Sequence, residues 1–230
     1  MEGMEVRKLV ELEHRHWWYR ERRRLIRRAI HGLPPGTALD IGAAGGGNTR
    51  VLVEHGWDAV ALEYGPDGAQ VAHERGLESL RGDATALPVA DASLDLVVAF
   101  DVLEHIVDDA AAAAEIHRVL RPGGTLLVAV PCDPRLWSAH DEAVDHVRRY
   151  TRETVGDLVA GAGLTIDAML SWNVLLRPVV AVRRRSTTGS DLDDVHPVVN
   201  LGLRCVIAAE RYLPVTGLPG VSLLVRAHRP

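Results

Sequence analysis

The sequence predicts an α/β fold built on a doubly wound, mostly parallel sheet, with an N-terminal helical cap and a lid insertion near its end. Three observations predict it. From residue 37 onward short apolar runs alternate with helical patterns, as strands joined by crossover helices do. The first run, Ala38 to Ile41, enters a glycine cluster, Gly42-Ala43-Ala44-Gly45-Gly46-Gly47. Acidic residues then stand at or just beyond the ends of successive strands: Asp40, Glu63, Asp83 and Asp101. In a doubly wound sheet those ends share one edge, the edge where ligands bind.

Each element has its own signal. Residues 5 to 31 read as one arginine-rich helix with Leu9, Leu12, Trp17, Leu25 and Ile26 among its apolar positions, and with the cluster His16-Trp17-Trp18-Tyr19. Gly32-Leu33-Pro34-Pro35-Gly36 ends it. The glycine cluster suits a sharp strand-to-helix turn, and the helix from Thr49 to His55 would aim its N-terminal amides at a carboxylate or phosphate. Ala59 to Leu62 is the second strand, ending at Glu63, about twenty residues past the glycines, the spacing at which an acid reaches ribose hydroxyls. A short helix (68 to 76) and a third strand (77 to 81) follow, then a fourth strand, Asp95 to Phe100. An alanine-rich helix from Asp108 is stopped by Arg121-Pro122-Gly123-Gly124, and Thr125 to Val130 is the fifth strand. Thr151 is the expected N-cap of a helix over 152 to 160, its capping box left incomplete by Thr154 where Glu or Gln would stand. Leu164 to Trp172 and Val221 to Ala227 complete seven strands, the last antiparallel. Between them, residues 173 to 218 hold a polar loop (Arg183 to Asp194) and a helix from Pro197 to Tyr212, read as part of a lid over the substrate, with packing or dimerisation as the competing reading. The boundaries are thus a cap over 1–36 and a main domain over 37–230.

Composition narrows the function classes. A 230-residue chain, 47% hydrophobic, can bury a full core and is not disordered. A net charge of −5 gives no reason to expect a nucleic-acid partner. Cys132 and Cys205 have no zinc-type spacing and point to a reducing compartment. No signal-peptide pattern opens the chain and no apolar run is long enough to span a bilayer, so a cytoplasmic location is expected.

The run Leu39-Asp40-Ile41-Gly42 through Gly46, with Glu63, Gly82-Asp83-Ala84, Asp95 to His105 and Val119 to Gly124, resembles the class I S-adenosylmethionine-dependent methyltransferases. It looks most like the group that includes ubiquinone- and menaquinone-biosynthesis enzymes. The resemblance implies a Rossmann-like sheet and S-adenosyl-L-methionine as cofactor. It places Asp40 and the turn from Gly42 to Gly46 under the methionine and ribose portions, Glu63 on the ribose hydroxyls, Asp83 on the adenine amino group and Ala84 on a ring nitrogen. Tyr64, next to Glu63, joins that set. Asp101 falls near the methionine end, His105 buttresses its loop, and the N-terminal helix brings Tyr19 and an arginine, Arg23 or Arg22, to the cofactor's carboxylate. One departure stands out: Ala44 replaces the family's middle glycine. Some relatives bind a divalent metal through an acid-x-x-Glu-His run like Asp101, Glu104 and His105; many do not, and no metal is assigned here.

After the fifth strand, residues 136 to 150 are dense in titratable groups. His140, Asp141 and His146 are the candidate catalytic residues, a histidine to accept a proton and a carboxylate to orient it. Arg148, Arg149 and Tyr150 are candidates to hold a small-molecule acceptor, with a salt-bridged surface turn as the competing reading of the whole segment. The leading function is methyl transfer to oxygen or nitrogen of that acceptor. The alternatives are a nicotinamide-dependent oxidoreductase, whose fingerprint Gly42 to Gly47 and Glu63 imitate, and a non-catalytic regulatory or scaffold relative. Oligomeric state is left open.

Overall fold

The computed structural model describes residues 3–184 and 195–230. Seven strands, β1 (Thr37–Ile41), β2 (Asp58–Glu63), β3 (Glu78–Arg81), β4 (Leu94–Phe100), β5 (Leu120–Pro131), β6 (Thr165–Trp172) and β7 (Ser222–His228), form one sheet. Its order is β3-β2-β1-β4-β5-β7-β6. Every neighbouring pair is parallel except those of β7, which runs antiparallel to β5 and β6. The carboxyl ends of β1 to β4 therefore share one edge, as the spacing of the acidic residues predicts.

Alternation along the central strands explains how both faces are covered. On β4, Leu96, Val98 and Phe100 join one core with Val51, Leu52 and Trp57, while Val97 and Ala99 join the other with Ile116, Val155 and Val159. A strand buried on both faces reads as a continuous apolar run, which is what Leu94 to Phe100 shows. Helices α3 (Gly47–Glu54), α4 (Pro66–Glu74), α5 (Asp109–Val119) and α7 (Arg152–Gly161) supply the crossovers, and a short α6 (Ala139–Ala143) precedes α7. At the entry to β5 the register jumps from Leu94↔Leu120 to Leu96↔Thr125, so Arg121 to Gly124 bulge out as the expected turn.

Three local expectations are corrected. The N-terminal segment is not one helix but two, α1 (Gly3–Glu13) and α2 (Trp17–Ile30). The break comes from His16, whose backbone is extended and whose imidazole caps α2 by accepting the Trp18 N–H at 3.3 Å. Leu25, Ile26 and Ile30 of α2 are buried, Ile26 and Ile30 against the same face of the sheet as Val51 and Leu52. At α7 the capping box is complete after all, because the Thr154 hydroxyl accepts the Thr151 N–H at 2.9 Å and does the work expected of a carboxylate. The stretch between β6 and β7 holds two helices, α8 (Arg177–Arg183) and α9 (Pro197–Glu210); of the polar loop, residues 185–194 lie outside the described residues.

Candidate active site

Backbone strain gathers on the carboxyl edge of the sheet. Ala44, Asp101, Asp133 and Asn173 all have positive φ and follow the ends of β1, β4, β5 and β6. Asparagine and aspartate tolerate that region; alanine does not, at a cost of about 1–2 kcal/mol. Ala44 is held there by Glu63, whose carboxylate accepts its N–H. Gly42 (φ 65°) and Gly46 (φ 77°) complete the turn, and side chains at either would run into Val102 or Leu77.

Asp40 is wholly buried and accepts the Thr49 hydroxyl at 2.6 Å, tying the end of β1 to the first turn of α3. Burial raises its pKa to about 7, against the hydrogen bond from Thr49. The folded state therefore holds a proton that the unfolded chain releases near pH 4. This contribution to stability is full below the unfolded pKa and is lost as pH rises through about 7. Asp40→Asn should flatten the fall in melting temperature between pH 4 and pH 7; an unchanged slope would assign that pH dependence to other groups.

Glu63 is also pushed upward by burial, held back by the Ala44 N–H, and its carboxyl group sits against Gly68 in the first turn of α4. Tyr64 follows, three-quarters exposed. Asp83 lies past β3 and accepts the Thr85 N–H and hydroxyl, both at 2.8 Å, which hold its carboxyl below the usual range; Ala84 beside it is buried.

The N-terminal helices reach this edge and bring both candidate arginines to it. Arg22 forms an ion pair with Asp101 and donates to the Phe100 carbonyl at 2.7 Å. Arg23 donates to the Glu13 carbonyl, faces the Glu13 carboxylate and stands with Glu13 beside Gly47 at the start of α3. Tyr19 lies near Asp101 and Arg22, its hydroxyl pushed up to about 12 mainly by burial. On α1, Val10 covers Gly45 and Glu13 covers Gly47, with Arg75 paired to Glu13.

Beside this lies the segment from 138 to 150. It packs on the loop after β4: the Val147 N–H donates to the Glu104 carbonyl at 2.8 Å and the Tyr150 hydroxyl to that of Leu103 at 3.2 Å. Asp141, fully buried, is its hub. It accepts His146 Nδ1 at 2.9 Å, Arg149 at 2.7 Å, Arg184 at 3.3 Å and the Ser138 N–H at 3.0 Å. Burial opposes the charge, but the His146 bond and the Arg149 charge hold the carboxyl well below its ordinary range. With Nδ1–H directed at Asp141, the Nε2 lone pair of His146 faces Glu104 Oε1 at 3.8 Å. Glu104 is fully buried, and neither carboxyl oxygen hydrogen-bonds to another described residue. Burial, then the charge of Asp101, raises its pKa well above the carboxylate range. His105 stacks edge-on to His146 at 4.8 Å between centroids and directs Nδ1 to the Asp145 carbonyl at 3.3 Å; burial, then the charge of His146, lowers its pKa.

With this geometry in place, the profile of the methyltransferase domain matches residues 39–128. A Mycolicibacterium smegmatis protein named a probable S-adenosylmethionine-dependent methyltransferase is 29% identical over 170 residues, 71% of this chain and 65% of the relative. Residues 39–128 carry a methyltransferase domain, similar to that of S-adenosylmethionine-dependent relatives. The demethylmenaquinone methyltransferase of Renibacterium salmoninarum is 37% identical over 109 residues, 46% of each chain. Among solved structures, a Haemonchus contortus phosphoethanolamine N-methyltransferase in complex with S-adenosyl-L-methionine aligns with a TM-score of 0.64 at 19% identity, over 91% of this chain and 52% of that one, and shows the shared fold. The chain spans less than two thirds of the length of either relative.

The structure brings His146, Asp141, Glu104 and His105 together and leaves His140 to one side, buried, its ring 6.2 Å from that of His146. The acceptor-binding role expected of Arg148, Arg149 and Tyr150 is corrected. Arg149 is buried on the carbonyls of Cys132, Asp133 and Val221 and on Asp141. Arg148 and Tyr150 both bind Asp109. The donors of Arg149 and the Tyr150 hydroxyl thus serve the loop framework, while the Arg148 side chain stays about one-third exposed.

Proposed function

We propose that the chain transfers a methyl group from S-adenosyl-L-methionine to oxygen or nitrogen of a small-molecule acceptor. The observation that carries this reading is the strand order 3-2-1-4-5-7-6 with an antiparallel seventh strand. A dinucleotide-binding sheet orders its strands 3-2-1-4-5-6, so the glycine turn and Glu63 belong to a different cofactor than nicotinamide. Glu63 is the candidate for the ribose hydroxyls, Asp83 and Ala84 for the adenine, and Gly42, Gly46, Asp101, Tyr19 and Arg22 for the methionine end. Asp40 acts beneath them, through Thr49. The candidate base is His146, oriented by Asp141. The reaction is an in-line displacement, so holding the nucleophile against the methyl supplies most of the acceleration.

Retention of the cofactor residues supports an enzyme over a non-catalytic scaffold. No helix among the described residues is long and apolar enough to cross a membrane, and cytoplasmic function is consistent with that. Calorimetry with S-adenosylmethionine and with NADH tests the cofactor, and a mass-spectrometric screen of acceptors with labelled methyl donor tests the transfer. Binding of NADH in place of S-adenosylmethionine would end the reading.

One observation favours a second role for the same groups. The ligating atoms of Glu104, His105 and His146 lie within 4.8 Å of one another, and the buried Glu104 oxygens hydrogen-bond to no other described residue. Carbonyl and carboxylate acceptors fix the Nδ1–H of both histidines and leave Nε2 to ligate, the arrangement seen around bound metals. Asp101, which sequence spacing put in such a set, is instead engaged by Arg22. If a divalent cation belongs here, dialysis against a chelator removes turnover and added Zn²⁺ or Mg²⁺ restores it. Full turnover after chelation leaves His146 with the proton-transfer role alone.

A further inference from the structure

The segment between β6 and β7 presents an apolar helix to solvent. Of the fourteen residues of α9, only Ile207 and Glu210 are buried. Val198, Val199 and Leu201 are 72%, 53% and 57% exposed, and between Pro197 and Ala209 the helix carries a single charge, Arg204. Tyr212 and Leu213 continue the apolar surface past its end. A helix apolar around most of its circumference is ordinarily buried, and exposed apolar surface of this kind marks an interaction site. α9 is fixed in place by polar contacts: the Asn200 side chain accepts the Trp17 N–H and donates to the Arg15 carbonyl, each at 2.9 Å, and Arg211 pairs with Glu21.

The ground beside it is basic. Two adjoining cavities, about 530 and 510 Å³, lie along the junction of α2 and α9, and their walls include Arg20, Arg24, Arg27, Arg204 and Arg211. Among the described residues the only carboxylate in either lining is Glu21, which is paired to Arg24 and Arg211. This concentration of arginine stands on a chain whose net charge is −5.

We propose that this face docks on an anionic lipid surface, with the apolar side of α9 entering the headgroup boundary and the α2–α9 arginines meeting lipid phosphates. Apolar side chains flanked by arginine are the composition of interfacial helices. Charge selects lipid over a second copy of the chain, because a two-fold interface centred on α9 would set one arginine cluster against its equal. The inference concerns where the protein works and does not depend on which acceptor it methylates.

Co-sedimentation of the full chain with phosphatidylcholine vesicles, with and without phosphatidylglycerol, tests it. Binding is expected only with phosphatidylglycerol and should weaken as salt screens the arginines. Each arginine near an anionic surface is worth roughly fivefold in partitioning, so Arg20→Glu with Arg204→Glu should lower it roughly 25-fold or more. Val198→Asp with Val199→Asp should lower it through the apolar side. Both variants should keep the wild-type circular dichroism and S-adenosylmethionine affinity, which separates lost docking from lost folding. No sedimentation with phosphatidylglycerol vesicles at low salt overturns the proposal, as does unchanged binding in both variants. A chain dimer that dissociates on Val198→Asp would give the face to a second copy and overturn it equally.

Discussion

Replacing Glu63 with alanine should weaken S-adenosylmethionine binding by roughly tenfold to a hundredfold for each ribose hydrogen bond lost, since bonds to a charged group contribute about 1.5–3 kcal/mol. The structure adds a second consequence. Glu63 also accepts the Ala44 N–H and so helps to hold a non-glycine residue at positive φ in the cofactor turn. The alanine variant should therefore lose thermal stability without ligand as well as affinity. Glu63→Gln separates the two effects. It keeps an oxygen for Ala44 and restores the turn, but offers the ribose only neutral hydrogen bonds of about 0.5–1.5 kcal/mol. Calorimetry should rank wild type, glutamine and alanine in falling affinity, while glutamine melts near wild type. Wild-type affinity in the alanine variant would remove Glu63 from the cofactor site.

That Ala44 could be tolerated was legible only in part. The glycine run announces a turn, but the partner that stabilises positive φ at residue 44 comes from the end of another strand, nineteen positions on. The same limit governs most of what sequence reading reached and missed. The strands carry their evidence locally, in apolar runs such as Leu94 to Phe100, and strand ends with their acidic residues follow from them. Asp141 and His146 were legible as candidates because their residue types are suited to proton transfer. What sequence could not supply was pairing: Arg22 rather than Arg23 on Asp101, His146 rather than His140 on Asp141, and a buried Glu104 whose carboxyl oxygens hydrogen-bond to no other described residue. Arg149 shows the cost of judging by residue type alone. An arginine beside a site suggests an anion, yet this one is sealed on three backbone carbonyls and a carboxylate. The break at His16 was missed for a related reason, since the aromatic run continues a helical pattern while the imidazole caps the next helix.

His146→Ala should lower turnover by roughly 10²–10⁴-fold, the range for loss of a general base, with S-adenosylmethionine affinity unchanged. The argument rests on tautomer. Asp141 accepts Nδ1–H, which leaves the lone pair on Nε2, the nitrogen that faces away from the buried hub toward the loop after β4. A base must be unprotonated, so turnover should fall tenfold per pH unit below the pKa governing the step and level off above it. His140 is buried with its ring edge-on to that of His146 at 6.2 Å, and His140→Ala should stay within a few-fold of wild type. Asp141 acts through His146 as a positioning residue, and its variants need a readout besides rate. In Asp141→Asn the amide nitrogen can donate to Nδ1, which moves the imidazole proton to Nε2 and blocks proton acceptance. The acidic limb of the pH profile should then shift while kcat falls and the KM for S-adenosylmethionine holds. The same substitution leaves Arg149, buried on Asp141, with a neutral partner, so a lower melting temperature is expected beside the kinetic change. If His146→Ala retains turnover within a few-fold while His140→Ala does not, the base is His140 and the Asp141–His146 pair belongs to the loop framework.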